Sequence, residues 1–477
     1  MKNLIMNIIK EFNNDLLNEL NSDLVALLIS GNIYEFETKL HQHCIDLYNQ
    51  LAAILLIHVF ESTELKKKAQ IIGQKKGLTQ LRKSEVTLQL KTGFIVRIPS
   101  WYAAKSKSKR TGPKKKSGPN GNGCHLLLEY WGCLNKATPG YYSYVTMLCV
   151  LCPSFDIVLQ ILNDQQIACE YKRIKDLAYK VGEKCLSKRI QINLKPNESV
   201  AGQRVIISVD GGRTRTREEN TDKESSNDKK YDTPWREPKL FVIHMLDENG
   251  SIIKTKLPIY DAVIDDNNGN KPADSCFELL SDYLTKLKID QATEVLVIAD
   301  GADWIWNRAK TTLLELGVSE EKIHEAVDYY HAVEHVSGIL SKLNNSKKQK
   351  TEIFKELKKL LWEGKVNLFI SKITELAKGR KVILDELSYF QNHINRMNYE
   401  LLRQKKFPCG SGIVESAIRR VINLRFKSPS SFWKKDNVIK LIFLRAVFLA
   451  GRWNIMINNL IKLNHKSLQM NLKLLSS

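Results

Sequence analysis

A chain of 477 residues is too long for one compact core and predicts about two to four domains. Its 43% apolar content excludes a wholly disordered protein, and nine cysteines at irregular spacing exclude a disulfide-stapled scaffold. The net charge of +21, from 73 Lys and Arg against 52 Asp and Glu, makes a polyanion the natural partner, and nucleic acid is the commonest one.

Residues 1–103 read as a mainly α region with one β-hairpin. Ile5, Ile8, Ile9, Phe12 and Leu16 recur at helical spacing, and 52–61 continues the pattern. The longest apolar run, 51–60, is interrupted by His58 and is too short to cross a bilayer, so no membrane role is expected. With reduced cysteines and no signal peptide, the expected setting is cytoplasmic and nucleoid-associated. Residues 87–98 alternate about Lys91-Thr-Gly93 as a hairpin does. Residues 104–123 then carry seven positive charges and no negative one. They predict a basic flexible linker, acting either as a phosphate-contacting arm through Lys114, Lys115 and Lys116 or only as a solubilising tether.

Residues 124–200 return to helical patterns. Apolar positions over 144–151, a Pro153 break, 154–162 and an amphipathic run over 171–186 predict three short helices. These fit a helix-turn-helix DNA-binding domain or an ordinary small bundle. Cys149-Val-Leu-Cys152, with Cys124, His125 and Cys133 upstream, invites a zinc reading. The spacings match no regular finger, however, and small buried cysteines are common in apolar helices.

Residues 201–338 carry the chemistry. A strand over 204–209 runs into Asp210-Gly-Gly, a second spans 240–245, and a turn at Asp247-Glu-Asn-Gly250 leads into a third over 252–260. A helix fits 273–287, with Cys276, Leu279, Leu280, Tyr283 and Leu284 on one face. The buried-type strand 294–300 also ends on an aspartate followed by glycine; a helix over 305–316 and a strand over 323–327, ending at Asp328, complete the pattern. This order predicts an α/β, ribonuclease H-like mixed sheet flanked by helices. Neighbouring strand ends in such a sheet bring Asp210 and Asp300 together. The glycine after each aspartate lets the backbone turn away and a large ligand approach. Two carboxylates so placed repel unless a cation lies between them, which reads as a Mg²⁺ site. The plainer alternative is that each aspartate caps the turn that follows its strand.

Residues 339–407 predict an all-α insertion before the third acidic residue, with Leu340, Leu343, Ile353, Leu357, Leu360 and Leu361 among its apolar positions. Residues 408–477 supply the C-terminal helices of the core. After a glycine-rich opening, Val414, Ile418, Val421 and Ile422 face inward while Glu415 and Arg419 share the other side. Glu415 is the candidate third acid, although a first-turn glutamate also complements the helix dipole. Arg419, Arg420 and Arg425 follow, either as a solvated face or as a track for the DNA backbone. Trp304 and Trp306 are expected to pack, with base stacking as the alternative.

Val209-Asp-Gly-Gly-Arg213, Trp235-Arg-Glu-Pro-Lys239, Ala299-Asp-Gly-Ala-Asp-Trp-Ile-Trp-Asn307, Asp328-Tyr-Tyr-His-Ala-Val-Glu-His335, Gly410-Ser-Gly-Ile-Val-Glu-Ser416 and Leu449-Ala-Gly-Arg-Trp453 occur in this order. Together they resemble the motif set of bacterial insertion-sequence transposases of the DDE superfamily, with the ISKra-type group nearest, over roughly residues 130–455. The resemblance implies a triad of Asp210, Asp300 and Glu415 that is both catalytic and metal-holding. It implies two Mg²⁺ ions, with Mn²⁺ able to substitute, and support from Asp328 and His331. It also implies DNA contacts that include Arg213, binding of terminal inverted repeats and target DNA, metal-dependent cleavage and strand transfer, and a homo-oligomer on DNA. The alternatives are a ribonuclease H-like nuclease without strand transfer and a transposase-derived DNA-binding protein that lacks catalysis.

Overall fold

The computed structural model describes residues 2–78, 80–104, 123–219, 231–264, 271–428 and 432–473, with backbone alone for 2–5, 7–9, 11–16 and 464–473. Lys114, Lys115 and Lys116 lie outside the described residues. The chain divides into two compact units, 1–181 with 457–477, and 182–456.

The first unit opens with α1 (Lys2–Ser30), α2 (Ile33–Glu61) and α3 (Thr63–Lys75). Gly31 ends α1 at φ +64, and the Asn32 side chain caps α2 by accepting from the Glu35 N–H at 3.2 Å. Ser62 caps α3 in the same way through the Leu65 N–H. Because α2 runs unbroken through His58, it is longer than the apolar run 51–60 suggested. By length and composition alone it could cross a membrane, with a mean hydropathy of 1.3 over 18 residues.

β1 (Gln80–Gln89) pairs antiparallel with β2 (Ile95–Ala104), and β2 pairs with β3 (Gly123–His125). The expected hairpin at 87–98 is only the turn end of this ladder. Its outer half is polar along β1, so alternation there is hidden in the sequence. The inner face, through Val86, Leu88, Val96 and Ile98, packs with Phe60, Ala69, Leu127 and Leu128. The helices α4 (Leu126–Tyr130), α5 (Pro139–Leu151), α6 (Phe155–Asp164) and α7 (Tyr171–Leu186) follow, and the chain passes to the second unit within α7. Thr138 and Ser154 cap α5 and α6, and Pro139 takes a first-turn position where its missing N–H costs nothing. Cys149 is buried on α5, and Cys152 stands at its C-terminal cap.

The second unit begins with α8 (Arg189–Asn193) and β4 (Arg204–Gly211). Two short ladders precede the next long strand: β5 (Thr214–Arg215) with β8 (Trp235–Arg236), and β6 (Glu218–Glu219) with β7 (Tyr231–Asp232). Then come β9 (Lys239–Leu246), β10 (Ile259–Val263), α9 (Pro272–Leu287), β11 (Glu294–Ala299), α10 (Asp303–Trp306), α11 (Ala309–Glu315) and β12 (Ile323–Val327). The five long strands form one mixed sheet in the order β10-β9-β4-β11-β12. It is antiparallel across β10, β9 and β4 and parallel across β4, β11 and β12. Val205, Ile206, Ile207 and Val209 of β4 are all buried, which marks a central strand covered on both faces.

Three sequence expectations are corrected. The third strand starts at Ile259, not at 252: Ile252 makes one isolated bridge to Leu246, and Pro258 has no N–H to extend a ladder. The helix expected over 305–316 is broken at Arg308, whose guanidinium is held by Asp274 and the Trp304 carbonyl. Residues 189–200, expected in the helical domain 124–200, bond to segments of the sheet's own unit. Arg189 pairs with buried Asp261, Asn193 donates to the Tyr260 carbonyl, and the Val200 N–H donates to Leu287.

Beyond the sheet, α12 (Tyr329–Ser341), α13 (Lys347–Trp362), α14 (Val366–Ala377), α15 (Lys381–Asn392) and α16 (Tyr399–Gln404) form a wholly helical stretch with one 3-10 turn, Ile394–Arg396. Its inward residues, among them Leu357, Phe369, Ile383 and Phe390, join the sheet in a single core. α17 (Gly412–Ile418) widens into a π turn over Arg419–Asn423 and continues as α18 (Leu424–Phe426). α19 (Lys435–Leu449) and α20 (Trp453–Lys473) close the chain's helical order.

Candidate active site

Three aspartates stand level across the carboxyl ends of the parallel strands. Val297 of β11 is in register with Ile207 of β4, so three residues further Asp300 comes opposite Asp210. Ala299 is in register with Val327 of β12, so Asp328 comes beside Asp300. Glu415 reaches the same end on α17, which packs on β4 and β9.

Each side chain has a defined local hold. Asp210 Oδ1 accepts from the Gly211 N–H at 2.6 Å, and Asp300 Oδ1 accepts from the Ala302 N–H at 3.0 Å. The Trp306 indole N–H donates to the Asp300 carbonyl at 2.8 Å, and His393 Nε2 lies 3.0 Å from the Gly301 carbonyl. Asp328 is buried and accepts twice: from the His331 N–H at 2.9 Å, capping α12, and from the Ser411 N–H. The Tyr329 N–H donates to Cys409 at 2.9 Å. These bonds tie the segment that launches the Glu415 helix to the end of β12.

The electrostatics follow from this crowding. The Asp210 carboxyl is pushed up to about 6. Burial is the main cause, the Gly211 N–H opposes it, and the negative fields of Asp300 and Glu415 raise it further, with Lys239 pulling the other way. The Glu415 carboxyl is also raised, by burial and then by Asp328 and Glu334, against His331 and Ser411. A set of hard oxygen donors that resist joint ionisation fits a divalent cation such as Mg²⁺ in chemistry. As they stand, however, no three His, Cys, Asp or Glu side chains among the described residues come together closely enough to hold a metal ion. The same statement covers Cys149 and Cys152. Asp210 and Asp300 each turn onto an amide of their own chain, the capping geometry that competes with metal binding.

The glycines differ from expectation. A Cβ on Gly211 would meet Glu237 Oε1 at 2.2 Å, and one on Gly301 would meet Tyr389 Cε2 at 2.1 Å. At Gly301 the space is filled by the Tyr389 ring, so glycine serves internal packing there, whereas the exposed Glu237 side chain beside Gly211 can swing away. Tyr389, on α15, stacks on His335 at 3.8 Å and lies in the fields of Asp300 and Asp328. Burial, then those carboxylates, raises its phenol far above the usual range, so it stays a donor.

His331 is half-exposed and approaches Glu334 at 3.4 Å, with its charge felt at Glu415. Arg213, Arg419 and Arg420 are exposed, and Arg420 Nε donates to the Ser416 carbonyl. Arg425 is a correction: it is 3% exposed and stacks on Trp433 at 4.9 Å. Burial and then the Arg425 charge bring neighbouring Arg445 down to about 10. Arg425 therefore belongs to the interior of this unit and offers no solvent-facing charge for DNA. Trp306 is buried against the site, and Trp304 packs on Phe277 with Lys239 Nζ 4.2 Å from its ring. Sequence reasoning gave no role to Lys239, Tyr389, His393 or Ser411, although Lys239 and Ser411 lie within the motifs 235–239 and 410–416. Beyond those motifs, a lysine opening an otherwise apolar strand was the only local signal among them.

No protein-family model and no curated protein matches the chain. Among solved structures, the chain is similar to one described as the Drosophila P element transposase strand transfer complex, at 12% identity and a TM-score of 0.23, covering 73% of this chain and 84% of that one. Likeness at this level bears no weight on fold or activity, and the acidic cluster at the strand ends is what characterises this chain.

Proposed function

We propose that this chain is a DDE transposase with a ribonuclease H-like catalytic core, binding the terminal inverted repeats of an insertion sequence and catalysing metal-dependent DNA cleavage and strand transfer. The observation that carries this is the parallel register of β4 and β11, which sets Asp300 opposite Asp210 at the carboxyl ends of adjacent strands, with Glu415 on a helix packed against β4. The strand order β10-β9-β4-β11-β12 supports it, since a three-strand meander followed by two parallel strands is the ribonuclease H-like arrangement.

Asp210, Asp300 and Glu415 would hold divalent cations such as Mg²⁺, whose chemistry when bound would be to activate a water and stabilise the leaving 3′ oxygen. The chain's own part is positional. The sheet keeps Asp210 and Asp300 side by side, Trp306 and His393 fix the backbone of the Asp300 turn, and Asp328 fixes the segment leading to Glu415. Arg213, Arg419 and Arg420 supply exposed positive charge for phosphodiester contacts. No residue is required as a covalent nucleophile, because a freed 3′-OH attacks target DNA directly.

Replacing Asp210, Asp300 or Glu415 singly by Ala is expected to abolish Mg²⁺-dependent cleavage of element ends while repeat binding survives, and chelation should do the same to the unmodified protein. Retained cleavage in all three variants would sink the assignment. The capture of Asp210 and Asp300 by their own turns favours one second reading, a transposase-derived DNA-binding protein without catalysis. Binding with no cleavage by the unmodified chain, across Mg²⁺ and Mn²⁺, would establish it.

A further inference from the structure

The first unit carries a groove that the acidic cluster does not use. It measures about 160 Å³ and is lined by Thr87, Gln89, Ile95, Lys136 and Arg173. Buried Gln89 organises it. Its backbone N–H donates to the Lys136 carbonyl at 2.8 Å and its own carbonyl accepts from Thr138 at 3.0 Å. Its side-chain amide donates to the Gly93 and Ala168 carbonyls, and its Oε1 accepts from Arg173 Nε at 3.3 Å. Arg173 Nη2 donates to the Asn135 carbonyl at 2.6 Å, so two sites of the guanidinium are fixed before any ligand arrives.

Lys136 is presented differently. Reciprocal bonds between Leu134 and Ala137 close a two-residue turn in which Asn135 takes φ 49 and Lys136 takes φ 59. Glycine is the residue that conformation favours, and a lysine held there is a strained choice that packing does not explain, since Lys136 is exposed. Among the described residues no carboxylate lines the groove.

We propose that this groove is a phosphate-binding site for a DNA backbone, contacting a phosphodiester through Lys136 Nζ and the Arg173 guanidinium without regard to base sequence. It stands independently of the acidic cluster. A polyanion is favoured over a free anion because the chain carries +21 overall, and because neutralising a phosphate within a polyelectrolyte also releases its condensed counterions.

The test uses the full chain, a fluorescent duplex of arbitrary sequence and EDTA throughout, so that cleavage plays no part. Lys136→Gly suits the turn and is expected to hold or raise the melting temperature. It should weaken duplex binding and flatten the salt dependence by about 0.9 in log–log slope, so that the unmodified chain loses roughly 3.5-fold more affinity than the variant between about 50 and 200 mM salt. Arg173→Gln should flatten the slope similarly. Slopes and affinities equal to the unmodified chain in both groove variants would overturn the proposal. So would saturable binding of inorganic phosphate that Lys136→Gly abolishes while duplex binding stays as before, which would make the groove a free-anion site.

Discussion

Keeping a carboxylate ionised at neutral pH when its own carboxyl titrates near 6 costs the fold free energy. Asp210 in the unfolded chain ionises near 3.8 and in the folded chain near 6, so the folded state holds its proton more tightly. The cost is absent below about pH 4, grows between the two values and is complete above about pH 6. It amounts to roughly 3 kcal/mol at most, and less after screening by solvent at the partly exposed carboxylate. Asp210→Asn keeps the oxygen that accepts from Gly211 and removes the charge. Its melting temperature should exceed that of the unmodified chain by a few degrees at pH 7–8, with the difference closing toward pH 4. An equal difference at every pH would remove ionisation of the buried carboxyl as the cause. Asp210 and Asp300 were legible because each ends a buried-type strand with a carboxylate before glycine. Arg425 was misread from its charge alone. The π turn over Arg419–Asn423 shifts the helix phase and turns Arg425 inward beside buried Val421, Ile422 and Phe426, which regular helical spacing does not reveal.

At the scale of elements, the helical stretch between β12 and α17 buttresses the acidic cluster. Its Tyr389 ring occupies the space a side chain at 301 would need, and His393 holds the same glycine's carbonyl. Gly301→Ala should therefore destabilise by about 1–3 kcal/mol through overpacking. Adding Tyr389→Ala empties that space, so the double variant should lose less than the sum of the two single losses in denaturant titrations. Strict additivity would show that ring and glycine do not meet. The sequence pattern made the helical character of this stretch plain, since Leu357, Leu361, Phe369 and Ile373 recur at helical spacing. Its bearing on the site was hidden, because no period within a helix says which distant turn a tyrosine covers. The start of β10 was hidden for a related reason: residues 252–258 look apolar enough for a strand, and only the sheet shows that one bridge forms there.

At the scale of the second unit, one side chain binds two remote segments, 193–198 and 257–258. Arg452 is fully buried and donates to both oxygens of Glu198, at 2.7 and 2.9 Å, and to the carbonyls of Asn193, Leu257 and Pro258. Burial would raise Glu198, but the Arg452 bonds and charge outweigh it and hold that carboxyl below its usual value. In the sequence Arg452 stood only within the motif Leu449-Ala-Gly-Arg-Trp453, and the structure gives it an architectural place. Removing one partner of a buried pair strands the other, so Arg452→Ala should cost about 3–5 kcal/mol in equilibrium unfolding. A loss below 1 kcal/mol would show that water enters and replaces the guanidinium. The clasp also has a timetable. Glu198 and Arg452 lie 254 residues apart, so during synthesis at about 5–20 residues per second the acceptors around Glu198 wait roughly 13–50 s for their donor to emerge. Through that interval the nascent unit has its sheet strands but no lock, and it is then that a chaperone or a protease would find it open.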